Sequence, residues 1–253
     1  MSSIVRVYNI FTQMEKNPDY SFGVDLLKKV FKVENDDDLN YLKPYIFQEI
    51  DNCETEMRAG NYSDEQILST IPPFKTYIQD VLFNQLSVLK KSIIIVDGKG
   101  TFDKNLLRTK DKFPNEALTL ISFAAPRREQ FKKGYAAQIE KIKGEVASLK
   151  NEFLQLNKAD DYVYSFILLN LDRIDILLNN FDKIAPKYIE FNLYAIITPV
   201  YTIDGYKDLR AAVQSLWNDM VAFTNTYGGC VCTVYTLAAF FGFVPQLPPS
   251  ISE

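Results

Sequence analysis

Apolar side chains recur at Tyr135, Ile139, Ile142, Val146, Leu149, Phe153 and Leu156, in alternating steps of four and three residues. That spacing puts them on one stripe of an α-helix, with a heptad seam of the coiled-coil kind. Glu140, Lys141, Lys143, Glu145, Lys150, Asn151 and Glu152 fill the other faces. After the polar run NKADDY the apolar pattern resumes at Val163, Ile167, Leu171, Ile174, Leu178 and Phe181. The break reads either as a stutter inside one helix or as a tight turn between two antiparallel ones. Residues 145–185 contain no Gly or Pro, which favours a single long helix, straight or slightly bent, over residues 128–185. Such a helix would be about 85 Å long at 1.5 Å per residue. Pro186 ends or kinks it.

A second seam, Leu209, Val213, Leu216, Met220 and Phe223 with Trp217 beside it, predicts another helix, packed antiparallel on the first. Between the two lies FNLYAIITPVYTI, residues 191–203, uncharged and interrupted by Pro199. Its β-branched and aromatic content fits a strand, and an apolar helix kinked before Pro199 fits equally well. In the N-terminal third, helices are expected over 3–16, 22–33, 38–59, 63–71 and 74–91, with Pro72-Pro73 just ahead of the last. Ser63 followed by Glu65-Gln66 is a capping signal. The one strand signal is Ser92-Ile93-Ile94-Ile95-Val96 before Asp97-Gly98, which predicts a short hairpin near residues 93–101. The fold class expected is therefore mainly α: an elongated antiparallel helical bundle with long heptad-patterned helices and at most a short β-hairpin. Its regions are a helical 1–91, a hairpin and loop connection over 92–127, and a long helical hairpin with an apolar C-terminal segment over 128–253. These are read as one continuous domain.

Composition changes the picture mainly by what it removes. The 253 residues include no histidine, which excludes Ser-His-Asp and Cys-His catalysis, His-ligated metals and a His proton shuttle. No constellation of carboxylates, Lys or Tyr takes their place, so the chain is read as a non-enzyme with no catalytic residue, no cofactor and no metal. Asp172 and Asp175 have the three-residue spacing of a carboxylate metal pair, but on a heptad-patterned helix they form its solvated face. GKGT after the strand lacks the GxxxxGK[ST] spacing of a phosphate loop and reads as a turn. Cys53, Cys230 and Cys232 are too few for a disulfide framework and read as buried, inert thiols of a reducing compartment.

Charge is uneven. Residues 15–65 hold thirteen acids against six bases, whereas residues 90–150 hold fourteen bases against seven acids. A basic middle segment suits anionic lipid or nucleic acid, or an acidic segment of the same fold, and the last is the ordinary outcome. RNA held against residues 90–150, with aromatic side chains stacking on bases, is the alternative function. The acidic net charge of −4 and the lack of dense Arg weigh against nucleic acid as a partner.

Residues 220–252 contain no charged side chain, although 24% of the chain is charged. A span needs about 20 apolar residues, but Thr224, Asn225, Thr226, Gly228, Gly229, Thr233 and Thr236 make this segment a poor constitutive one. It suits a segment that inserts conditionally, and equally a buried core helix. If it enters a membrane, its contact residues are Tyr235, Leu237, Phe240, Phe241 and Phe243; residues 191–203 are the second candidate. The N-terminus has charges too early and no cleavage site, so no signal peptide is read there.

The seam of residues 135–156, the apolar stretch 191–203 and the second seam with Trp217 together resemble the ClyA and haemolysin-BL group of α-helical pore-forming toxins, including two-component insecticidal relatives. The likeness covers roughly the second half of the chain and rests on pattern. It implies a helical bundle that keeps an apolar tongue folded away and inserts it on oligomerisation, giving cytolysis. The implied partners are a target-cell membrane and either further copies of the chain or a second toxin component. The implied life cycle is a protein made soluble, exported by a non-classical route and active at a target membrane. The chain departs from that group in being shorter and in carrying its longest uncharged region at the C-terminus.

Overall fold

The computed structural model describes residues 1–17, 23–83, 113–124, 133–156 and 161–227, together with the backbone of 93–96 and 99–102. Helix dominates, as the periodicity predicts. The helices are α1 (Ser3–Glu15), α2 (Gly23–Phe31), α3 (Asp36–Ala59), α4 (Asp64–Thr76), α5 (Asn115–Ala124), α6 (Lys133–Gln155), α7 (Tyr162–Asn179), α8 (Ile189–Thr202) and α9 (Arg210–Tyr227). Strands β1 (Ile93–Val96) and β2 (Lys99–Phe102) pair antiparallel, with Ile93 opposite Phe102 and Val96 opposite Lys99. This is the hairpin expected around Asp97-Gly98. The described chain forms two compact units, Met1–Arg128 with Asp182–Ile184, and Glu129–Phe181 with Ala185–Glu253.

In the first unit, α1 and α3 pack through Val7, Ile10, Phe11, Leu42, Ile46, Ile50 and Met57, all buried. Phe11 stacks on Phe74 at 3.9 Å between centroids, and Tyr77 meets Phe113 edge-on at 5.4 Å. The first turn of α1 is satisfied from α3: Ser3 N and Ile4 N donate to the two carboxylate oxygens of Glu56, at 2.8 and 3.1 Å. A carboxylate there meets both the orphan donors and the positive end of the helix dipole. Buried Glu49 accepts from Ser3 Oγ at 2.7 Å and pairs with Arg6 at 3.6 Å. Ser63 and Gln66 cap α4 reciprocally, Gln66 N donating to Ser63 Oγ at 3.2 Å and Ser63 N to Gln66 Oε1 at 2.9 Å.

The expected helix boundary at Pro72-Pro73 is wrong. Both prolines lie inside α4, which runs on to Thr76 and into a π-helical turn over Tyr77–Phe83. The carbonyls that lose donors to the prolines are those of Leu68 and Ser69, both exposed, so water can replace the lost bonds. Pro44 likewise sits on the exposed side of α3.

In the second unit the expected single long helix is also wrong. α6 ends at Gln155, and Asp161 caps a new helix, its side chain accepting from Val163 N at 2.8 Å. Lys150 forms an ion pair with Asp172. In one continuous helix those residues would lie roughly 33 Å apart, so α6 and α7 form an antiparallel hairpin. The polar run NKADDY supplies the N-cap, Asp161, at a place where the seam carries no apolar residue. Of the seam positions, Ile139, Ile142, Val146, Leu149, Phe153, Ile167, Leu171, Ile174 and Leu178 are buried, whereas Leu156, Val163 and Phe181 beside the helix ends are half-exposed.

The second seam is as expected: Val213, Leu216, Trp217, Met220 and Phe223 are buried on α9, which packs on α6. Lys141 meets Asp219 and Phe153 meets Tyr206, at 5.7 Å between ring centroids, so the chain directions oppose. Residues 191–202 lie in α8, in which Ile189, Leu193, Ile196, Ile197 and Val200 are buried at helical spacing, and Ile203 is its extended C-cap.

Candidate functional site

α7 and α8 bury one face each against the rest of the second unit and leave an apolar groove between their outer faces. Tyr162, Val163 and Phe166 of α7 line it, with Ala195, Thr198, Pro199, Thr202 and Ile203 on the other side, around a volume of about 410 Å³. Leu169, one turn beyond Phe166, and Phe191, one turn before Ala195, continue the same faces. Of the eight exposed large apolar side chains among the described residues, five (Tyr162, Phe166, Leu169, Phe191 and Ile203) belong to this surface. Tyr162 is 81% exposed and Phe191 70%, too much apolar area in one place for scattered surface residues.

The groove presents mainly apolar surface. Of its three hydroxyls, two are spent on the helix itself, Thr198 Oγ1 donating to Tyr194 O at 3.1 Å and Thr202 Oγ1 to Thr198 O at 2.8 Å, and the third is the phenol of the exposed Tyr162. Pro199 has no N–H to offer. The ends of the groove are fixed by polar contacts. Asp161 caps α7 and also accepts from the buried Tyr206 hydroxyl at 2.8 Å; burial and this bond push Tyr206 up to about 12. At the other helix, Arg210 donates through Nε to Val200 O at 3.2 Å and through Nη2 to Tyr201 O at 3.0 Å, closing the C-terminal turn of α8. A guanidinium at that position satisfies orphan carbonyls and the negative end of the dipole together.

A second cluster lies at the α6–α9 contact. Lys141 Nζ is 2.5 Å from Asp219 Oδ2 and 3.7 Å from Glu145 Oε1, and the two carboxyl groups face each other. Burial, and then the neighbouring Asp219, push Glu145 up to about 7 against the weaker pull of Lys141. Asp219 moves the opposite way: burial would raise it, but contacts with Glu145 and Lys141 win and hold it below the ordinary carboxylate range. Carboxyls pushed apart in this way are the usual equipment of acid–base chemistry. None of the three residues lines the groove, and the pair flanks a helix seam.

The membrane-contact residues expected from sequence, Tyr235, Leu237, Phe240, Phe241 and Phe243, lie outside the described residues, as do Cys230 and Cys232. The second candidate segment is largely α8. At 14 residues it extends roughly 21 Å, less than the ~30 Å hydrocarbon core. Among the described residues no helix is long and apolar enough to cross a membrane. The described lysines of the basic segment meet acids of the same fold: Lys141 with Asp219, Lys143 with Glu140 at 3.0 Å, and Lys150 with Asp172. Asp172 and Asp175 go to separate partners, Lys150 and Asn179, and no cluster of three or more metal-ligating side chains occurs among the described residues. Cys53 is buried, and that burial, reinforced by Glu56, Glu49 and Glu54, lifts its thiol to about 12, an unreactive group.

Sequence reasoning missed the groove, because it sorted residues 162–203 by their buried stripe alone. The signal was present: Tyr162, Phe166 and Leu169 stand at helical spacing just off the seam. Comparison with family models, with curated proteins and with solved structures returns no match for this chain.

Proposed function

We propose that this chain is a non-catalytic, membrane-active helical protein that works by self-association, a pore-forming toxin or one component of such a toxin. The observation that carries the reading is the apolar surface on α7 and α8. Tyr162, Phe166, Leu169, Phe191 and Ile203 are exposed on α7, on α8 and at its C-cap, around a groove lined mainly by apolar side chains. Such a surface gains by covering itself with acyl chains or with another apolar protein face, at about 25 cal/mol per Å² removed from water. The uncharged residues 220–252, which begin in α9 of the same unit, supply further apolar length for insertion. First contact therefore belongs to the α7–α8 surface, and insertion to the C-terminal segment. RNA binding has less support, since Lys141, Lys143 and Lys150, the three lysines of residues 90–150 whose side chains are described, are engaged with acids.

Dye release from liposomes, followed by sizing of the detergent-extracted protein, tests the reading. Leakage together with discrete oligomers larger than the starting material is the expected result. RNA binding without leakage would replace this reading with the nucleic-acid one.

A further inference from the structure

We infer that the α6–α9 contact is a proton-operated latch: a proton shared between Glu145 and Asp219, with Lys141 alongside, fastens the two antiparallel helices, and loss of that proton loosens them. The inference is independent of any action at a membrane.

The geometry leads to it. Glu145 Oε2 and Asp219 Oδ2 are both buried, and neither has a hydrogen-bond donor among the described residues. Lys141 Nζ is close to Asp219 Oδ2, but as an ion pair outside hydrogen-bond angles. Two carboxylates against one ammonium leave a surplus negative charge in a partly dry seam, whereas a proton between the two oxygens converts repulsion into a charge-assisted hydrogen bond. The three side chains stand next to the seam residues Ile142, Val146 and Met220, so a change in their repulsion acts directly on the α6–α9 packing.

The surrounding groups leave the pair to itself. On α6, Lys143 is taken by Glu140 and Glu152 accepts from Ser148. On α7, Asp172 is taken by Lys150, and the Tyr206 hydroxyl, in the short turn before α9, donates to Asp161. On α9, Gln214 bonds Asn218; on α8, Glu190 acts on Tyr194, whose ring lies against Trp217. The charges acting on Glu145 are those of Asp219 and Lys141.

The sign follows from the direction of each shift. Glu145 holds its proton to about 7 in the folded protein against 4.5 as the ordinary value, so its contribution is complete below pH 4.5 and disappears as pH rises through about 7. Asp219 is shifted down from 3.8, so its contribution is present above that value and is lost at the acid extreme. The latch is shut in mildly acidic solution and opens above neutrality.

The test uses the full chain at pH 5.5 and pH 8.5, with Glu145→Gln and Asp219→Asn. Wild type is expected to melt several degrees lower at pH 8.5 than at pH 5.5, and Glu145→Gln to lose most of that difference. Amides of α9 should exchange faster in wild type than in Glu145→Gln at pH 8.5, and alike at pH 5.5. The side-chain carboxyl carbon of Glu145, followed by NMR in wild type, should titrate near neutrality and move toward the ordinary carboxylate range in Asp219→Asn, because an amide can donate to the ionised form. The NMR titration stands even where the Gln variant fails to fold. An ordinary wild-type titration for Glu145, or an undiminished pH difference in Glu145→Gln, would overturn the latch.

Discussion

The two units use polar groups differently. In the first, long-range polar contacts finish the fold: Glu56 of α3 closes the first turn of α1 and Glu49 holds Ser3 and Arg6, while locally Ser63 and Gln66 cap each other. The buried atoms there without a hydrogen-bond partner among the described residues are Arg6 Nε and Thr12 Oγ1. In the second unit Glu145 Oε2, Glu190 Oε1 and Tyr194 Oη are in that position, and burial lifts both Glu190 and Tyr194, the latter to about 12. The same unit carries most of the exposed large apolar side chains. A more completely satisfied network narrows the chain to one arrangement, and a less satisfied one beside an uncovered apolar face leaves interactions to be made later. On the proposed function, the first unit is scaffold and the second the working part.

The largest expected effect tests the shared requirement for a dry seam. Leu149→Asp removes a fully packed side chain and buries an unpaired charge, and should cost about 5 kcal/mol or prevent folding, as read by urea denaturation. Lys150→Asp, one position along at the half-exposed pair with Asp172, should cost about 1 kcal/mol. Equal losses would mean that the seam does not carry the second unit.

Next comes the polar scaffold of the first unit. Glu49→Ala leaves Arg6 charged and Ser3 Oγ without its acceptor in a buried place, and should cost about 3 kcal/mol by the same measurement. A smaller loss, about 1–2 kcal/mol, is expected for Asp161→Ala in the second unit, which removes the cap of α7 and the partner of Tyr206. If Asp161→Ala proved costlier than Glu49→Ala, the contrast between the units would be reversed.

The two apolar candidates of the second unit separate by function. An aspartate at Phe240 would cost about 2.5–3.5 kcal/mol at a bilayer centre, so Phe240→Asp should abolish leakage while leaving vesicle binding through α7 and α8. Loss of binding as well would mean that the C-terminal segment makes the first contact.

What was legible in the sequence follows from what periodicity encodes. Both seams, the short hairpin near residues 93–101 and the Ser63 cap depend on neighbours within one or two turns, and the sequence pattern predicts them. The α6–α7 turn was misread because apolar steps resume in phase across NKADDY, while the deciding feature is a cap by Asp161 that a polar run can equally place on a helix surface. Pro72-Pro73 was misread because sequence does not say which carbonyls face water. The Glu145–Asp219 pair was out of reach, since it exists only once α6 and α9 are side by side. The groove was half legible: its residues show helical spacing, but whether a second apolar stripe is covered is a property of packing.

The most direct test of the central claim, that the α7–α8 surface acts at a membrane, pairs leakage with folding in one variant. Tyr162→Ser combined with Phe191→Ser changes two exposed side chains, so stability should stay within about 0.5 kcal/mol per site of wild type. Liposome dye release by wild type, and its loss in a double variant that still melts at the wild-type temperature, is the predicted result. Release by the double variant at the wild-type rate, or no release by wild type at all, would contradict it.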